Sequence, residues 1–263
     1  MSLQLRARRE LFIDPEPFLL ESGQILPCLD IVHEIRGPEG APLVAVLGGI
    51  SAGSHSAAHD DDPDPGWWEC IVGPGLAVDG ERCRVLGVEY SGGPGCPIRR
   101  TGDGAIGQIT PLDQARILAR LLRGLDLGEL HAFVGASYGG MVGLALAAEE
   151  PSLLRRLCVI SAAHRPDAWA QALRTQQRRI LRLGKGSTWQ EDALALARSL
   201  AMLSYRSPKE FDQRFDTRAQ QVAGEPRFEC ESSLAARGPR SAECTGLEAS
   251  HRLSQPLDLH RAD

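Results

Sequence analysis

The sequence predicts an α/β fold: a mostly parallel sheet covered on both faces, with a helical segment inserted late in the chain. Three observations carry this expectation. Leu43–Leu47 is short and continuously apolar, as a strand buried on both faces would be, and Arg84–Tyr90, Ala132–Val134 and Leu157–Ser161 read as further strands. Helix-forming stretches separate the later ones, and strand–helix alternation favours parallel pairing. Beyond Ser161 the character changes: across residues 162–263 the only β-branched aliphatics are Ile180 and Val222. Ala, Leu, Arg, Gln and Glu at helical spacing replace them.

Each element follows from local pattern. Phe18-Leu19-Leu20 and the period-two run Leu29, Ile31, His33, Ile35 flank Ser22-Gly23, which predicts a hairpin within residues 11–36. Thr110-Pro111-Leu112-Asp113 opens a helix, with Thr110 as N-cap, Pro111 in the first turn and Asp113 placed to favour the helix dipole. Leu112, Ala115, Leu118, Ala119 and Leu122 form its buried stripe, and Gly124 is its expected stop. Helices are expected over Ala168–Leu183, Glu191–Ser204 and Pro208–Gln221, the first two separated by Gly184-Lys185-Gly186-Ser187. The organisation read from this is a core over 1–163, a helical lid over 164–255 and a start of return to the core at 256–263. No strand is expected after the lid, so the last strands of the sheet are missing.

A chain of 263 residues with 43% hydrophobic content can bury a real core. Net charge is −5 and the arginines are scattered, which argues against a nucleic-acid partner. No apolar stretch is long enough to span a membrane, and the first residues lack the apolar core of a signal peptide. Seven cysteines, an odd number without C-x-x-C spacing, predict free thiols in a cytoplasmic protein and no zinc site. Asp60, Asp61, Asp62 and Asp64 alternate with prolines and lack the spacing of a calcium loop, so no metal is expected there. Gly73-Pro74-Gly75 lacks the layout of a dinucleotide site, Trp67 and Trp68 read as core anchors, and no bound cofactor is expected.

Gly-x-Ser-x-Gly occurs twice, at Gly135-Ala136-Ser137-Tyr138-Gly139 and Gly49-Ile50-Ser51-Ala52-Gly53. Only the first passes from a strand into a helix-forming segment. A serine at such a corner projects its hydroxyl beyond the sheet edge, which makes Ser137 the candidate nucleophile. The second runs into a Pro- and Asp-rich stretch where no helix propagates, so Ser51 is a turn hydroxyl. In α/β-hydrolase architecture an early loop of this kind supplies one oxyanion donor and the residue after the nucleophile the other. That assigns the N–H groups of Ile50 and Tyr138. The serine also needs a base and an acid, expected in the order Ser, Asp or Glu, His. His55, His59, His131 and His164 precede the expected position or flank the elbow. Available beyond the lid are Asp258, His260 and Asp263, plus His251, and Asp258 and His260 lie too close together to occupy separate strand ends. No triad acid or base is assigned.

Together these motifs resemble the homoserine O-acetyltransferases and their O-succinylating relatives. The similar stretches are Leu47-Gly48-Gly49-Ile50-Ser51 with Ser54-His55, Gly66-Trp67-Trp68, Val72-Gly73-Pro74-Gly75, Tyr90-Ser91-Gly92-Gly93, the elbow through Met141, and Leu203-Ser204-Tyr205-Arg206-Ser207. The resemblance implies an α/β-hydrolase fold truncated at its C-terminus. It implies acyl transfer from acetyl-CoA or succinyl-CoA to L-homoserine through an acyl-Ser137 intermediate. It further implies that Arg198 and Tyr205 hold the amino acid, and that a homodimer forms through the lid, whose apolar stripes include Leu173, Ile180, Leu194, Leu200 and Leu203. Seven-residue spacing places Arg198 and Tyr205 on one helical face. A serine hydrolase on the same scaffold, or a non-catalytic remnant, are the alternatives. A chain without its acid and base would have much reduced activity.

Overall fold

The computed structural model describes residues 9–93, 95–96, 98, 108–222, 224–234 and 256–258. The chain divides into two compact units, one of Met1–Pro166 with Pro256–Asp263, the other of Asp167–Gln255.

The first unit is built on a six-stranded sheet. Its strands are β1 (Glu10–Asp14), β4 (Leu29–Arg36), β5 (Leu43–Leu47), β6 (Arg84–Val88), β7 (Ala132–Ala136) and β8 (Leu157–Ile160), in spatial order β1-β4-β6-β5-β7-β8. The pairings from β6 through β8 are parallel, and the two at the other edge are antiparallel. All five residues of β5 are buried, as an apolar run enclosed on both faces requires.

The two faces are covered differently. Val44, Val46 and Val85 pack with Ala57, Val72 and Val78, and Trp67, Trp68 and Ile71 close over them. One face is therefore sealed by irregular chain anchored by the stacked Trp67–Trp68 pair, whose ring centroids lie 4.9 Å apart. The alternate residue Phe133 points the other way, towards helix α2 (Tyr138–Glu149). Helix α1 (Pro111–Gly124) packs beside α2.

The predicted hairpin pairs differently from expectation. Leu29–Arg36 takes residues 10–14 as its antiparallel partner, with Phe12 opposite Ile31. Phe18–Leu19 (β2) instead pairs with Ile25–Leu26 (β3) around Gly23, whose φ of 84° suits glycine. An alternating strand fixes which face is buried but not which neighbour it takes. Helix α1 starts where its sequence requires: the Thr110 side chain accepts from Asp113 N–H at 3.1 Å and the Asp113 carboxylate accepts from Thr110 N–H at 3.0 Å. Gly124 is its last residue and lies against the Phe12 ring; the buried stripe gains Ile117 and Leu121, while Leu112 at the first turn is only half-buried.

The second unit pairs α3 (Ala168–Gly184) with α4 (Gln190–Ser204) through Ile180, Leu181, Leu194 and Ala197. The expected third helix is shorter than predicted. Helix α5 covers Pro208–Arg214, Phe215 turns extended, and Asp216 accepts from Arg218 N–H at 2.9 Å, a local bond that competes with helix. Gln220–Val222 (β9) then pairs with Glu225–Arg227 (β10), so strands do follow the helices, in a sheet of their own. No helix of the described residues is long and apolar enough to cross a membrane.

The α1 cap yields a stability prediction. Thr110→Ala leaves Asp113 N–H without its acceptor and should cost about 1 kcal/mol. For a domain of this size that is a fall in Tm of about 2–4 °C, measurable by thermal unfolding followed by circular dichroism.

Candidate active site

The turn from β7 into α2 is strained where the sequence singles out a serine. Ser137 has φ 53° and ψ −117°, a left-handed conformation that side-chain-bearing residues avoid. Its N–H donates to Ile160 O at 2.9 Å, tying the corner to the end of β8, and its side chain is exposed. The flanking glycines are steric necessities. A Cβ at Gly135 would stand 2.5 Å from Gly139 O, and one at Gly139 would stand 2.2 Å from Leu47 O. The helix therefore starts close against β5 and β7. Tyr138 is its first residue, so its N–H is among the donors that no helical carbonyl can take.

The loop after β5 is drawn to this corner by a single carbonyl. Gly48 O accepts from Gly139 N–H at 2.8 Å and from the Tyr90 hydroxyl at 2.6 Å. Ile50 and Ser51 then form the tip of a turn closed by Ala52 N–H to Gly49 O at 2.9 Å. The far side of the turn is also held. Trp67 Nε1 donates to Gly53 O at 3.0 Å, and Ser54 donates through both N–H (2.9 Å) and Oγ (3.0 Å) to Glu89 Oε1.

Two buried tyrosines stand beneath the corner. The rings of Tyr90 and Tyr138 meet edge to face at 4.7 Å. Burial, more than any neighbouring charge, pushes both phenols above their ordinary range. Both remain protonated donors, Tyr90 to Gly48 O and Tyr138 to Ile109 O at 3.4 Å.

Among the described residues, no side chain hydrogen-bonds the Ser137 hydroxyl. His131 lies 3.1 Å from an Arg156 nitrogen, and His164 is exposed. His251, His260 and Asp263 lie outside the described residues, while Asp258 ends a short 3-10 turn, Pro256–Asp258. Ser51 sits at an exposed turn that opens no helix. Within the second unit, Arg198 is half-buried on α4, and Tyr205 follows its last residue, still near-helical and 66% exposed.

One group of described residues has the makings of a metal site. Ligand atoms of Glu34, His55 and His59 lie within 4.8 Å of one another. The protein already uses most of them. His55 Nδ1 lies 2.9 Å from Glu34 Oε2 and its Nε2 lies 2.7 Å from Asp64 O, so both ring nitrogens have protein partners. His59 Nδ1 accepts from Asp61 N–H at 3.3 Å, and burial lowers this ring's proton affinity. Through these contacts Glu34 ties His55 and His59, both on the loop that follows Ser54, to β4. The residues that sequence reasoning passed over are Glu89 and Glu34. A charge inside or just after an apolar strand was the signal available for both.

The glycine geometry makes a paired prediction. Gly139→Ala sets a methyl group against the Leu47 carbonyl and should cost about 1–3 kcal/mol. Gly49→Ala meets nothing within 4 Å and should stay within about 0.5 kcal/mol of the parent. Urea unfolding of the two variants checks the contrast.

Comparison with known proteins agrees with this geometry. Residues 42–208 match the alpha/beta hydrolase fold family. The chain is 41% identical over 236 residues to the homoserine O-succinyltransferase of Xanthomonas campestris pv. campestris, covering 89% of this chain and 62% of that protein. It is 34% identical over 273 residues to the L-serine/homoserine O-acetyltransferase of Streptomyces lavendulae, covering 93% and 72%. The crystal structure of homoserine O-acetyltransferase from Bacillus anthracis superposes with a TM-score of 0.79 at 20% identity, over 97% of this chain and 76% of that one, a likeness of fold. The chain thus spans somewhat less than two thirds of the Xanthomonas protein. With a strained serine between strand and helix, and a glycine-rich loop bonded to that helix's first turn, the chain belongs to the α/β-hydrolase fold family and, within it, to the homoserine and serine O-acyltransferases.

Proposed function

We propose that Ser137 carries an acyl group between a coenzyme A thioester and the hydroxyl of L-homoserine. In the first half-reaction Ser137 Oγ attacks the thioester carbonyl, the C–S bond breaks, and the serine proton passes by way of a base to the departing thiolate. In the second, the homoserine hydroxyl attacks the acyl-serine, the C–Oγ bond breaks, and Ser137 regains a proton. Each addition places negative charge on the former carbonyl oxygen. The Tyr138 and Ile50 N–H groups are the donors for it.

The observation that carries this reading is the Gly48 carbonyl. By holding both the first turn of α2 and the Tyr90 hydroxyl, it keeps the Ile50 turn beside the Ser137 corner. The names of the relatives support an acetyl or succinyl donor and a homoserine or serine acceptor. On the same reading Arg198 and Tyr205 bind the amino acid, the guanidinium suiting its carboxylate. The enzyme works in the cytoplasm as a homodimer formed through the lid, to which Leu203, 42% exposed, contributes.

The test is CoA release from acetyl-CoA or succinyl-CoA, with and without L-homoserine or L-serine. Release that needs the amino acid and yields the O-acyl product is expected, at a rate limited by how the Ser137 proton is removed, and it should be lost in Ser137→Ala. Release at the same rate without the amino acid would mean hydrolysis, and release unaffected by Ser137→Ala would overturn the assignment.

A further inference from the structure

We propose that Glu89 is a positioning residue, holding the turn that presents Ile50 N–H to the oxyanion. The inference rests on the reading of Ser137 as nucleophile and Ile50 as donor. A donor of this kind is effective only if it is aimed before the charge develops. The Ile50 turn must therefore be fixed at both ends. Its leading end is fixed by Gly48 O, bonded to Gly139 N–H and to Tyr90. Its trailing end has no regular pairing and is held by two side chains, Trp67 at the Gly53 carbonyl and Glu89 at Ser54.

Glu89 is well placed for this. It directly follows β6, the strand beside β5, and its own N–H donates to Val32 O at 2.9 Å, so its backbone is locked to the sheet. Its side chain is buried, and Oε1 alone takes Ser54 N–H at 2.9 Å and Ser54 Oγ at 3.0 Å. Arg9 Nη1, 3.2 Å from the same oxygen, balances the charge. The surroundings fit this carboxylate closely. A Cβ at Gly53 would lie 2.7 Å from Oε1, and one at Gly95 would lie 2.3 Å from Oε2. A Cβ at Gly87 would lie 1.8 Å from Ser54 O, so the loop rests directly on the β6 backbone. Charge-assisted bonds inside a buried pocket are short and directional, which is what a fixed loop needs.

The experiment uses the full chain and two readouts. The first is acylation of Ser137 by p-nitrophenyl acetate, followed as the p-nitrophenol burst against ester concentration. The second is amide hydrogen exchange over residues 50–54. Glu89→Ala should lower the limiting acylation rate about ten- to a hundredfold, leave the half-saturating ester concentration within about twofold, and speed exchange at least tenfold. Glu89→Gln keeps one acceptor oxygen for Ser54 and should fall between the parent and Glu89→Ala. If Glu89→Ala fails to fold, Glu89→Gln carries the comparison. Ile50→Pro removes the donor at the second position of the turn, which proline tolerates, and should slow acylation about a hundredfold.

A Glu89 variant that acylates at the parental rate while Ile50→Pro is slow overturns the positioning role alone. Ile50→Pro acylating normally overturns the donor assignment and this proposal with it. If Ser137 does not react even in the parent, the nucleophile reading fails. Exchange then decides the positioning role, which unchanged exchange over 50–54 in the Glu89 variants would overturn.

Discussion

The Gly48 carbonyl is the joint on which the candidate site depends. It lies just beyond β5 and accepts two hydrogen bonds, from the second residue of α2 and from a phenol held in the core. Each donor belongs to a different part of the fold, so the acceptor couples three elements that are distant in sequence. Residues 48, 90 and 139 meet because β5 lies between β6 and β7 in the parallel part of the sheet. Loops that leave the carboxyl ends of neighbouring parallel strands converge, which is why sites in such sheets gather there.

Close approach at this joint demands small residues. Gly139 lies so near the Leu47 carbonyl that no side chain fits, and Gly140 is pressed against Ala162. Ser137, two residues before Gly139, has a backbone conformation that an isolated peptide would rarely adopt, a cost on the order of 1–3 kcal/mol. Surrounding bonds hold it there, including Ser137 N–H to Ile160 O and Met141 N–H to Ser137 O. The buried tyrosines contribute because burial keeps their hydroxyls protonated, so the Tyr90 bond persists well above neutral pH.

Much of this was legible in the amino-acid sequence because it is local. The apolar runs of β5, β7 and β8, the Thr110–Asp113 cap and the strand–serine–helix corner each depend on a few consecutive residues, and each forms where the pattern places it. What was not legible is pairing at a distance. Nothing in Leu29–Arg36 says that residues 10–14 rather than 18–20 will lie beside it. The β9–β10 hairpin was hidden because Gln220 and Gln221 suit a helix as well as an edge strand, and a local Asp216 bond decides the matter. The partners of Glu34 and Glu89 were unreadable for the same reason, since they lie 21 and 35 residues away. The resemblance to the O-acyltransferases pointed to the right family through longer motifs, where Gly-x-Ser-x-Gly alone occurs twice.

The claim at the centre is that the corner serine, and not its counterpart in the earlier glycine loop, is the reactive hydroxyl. Peptide mapping by mass spectrometry after treatment with a fluorophosphonate tests it most directly. The account predicts a single phosphonylated site at Ser137. Label on Ser51, or on neither serine in folded protein, would contradict it.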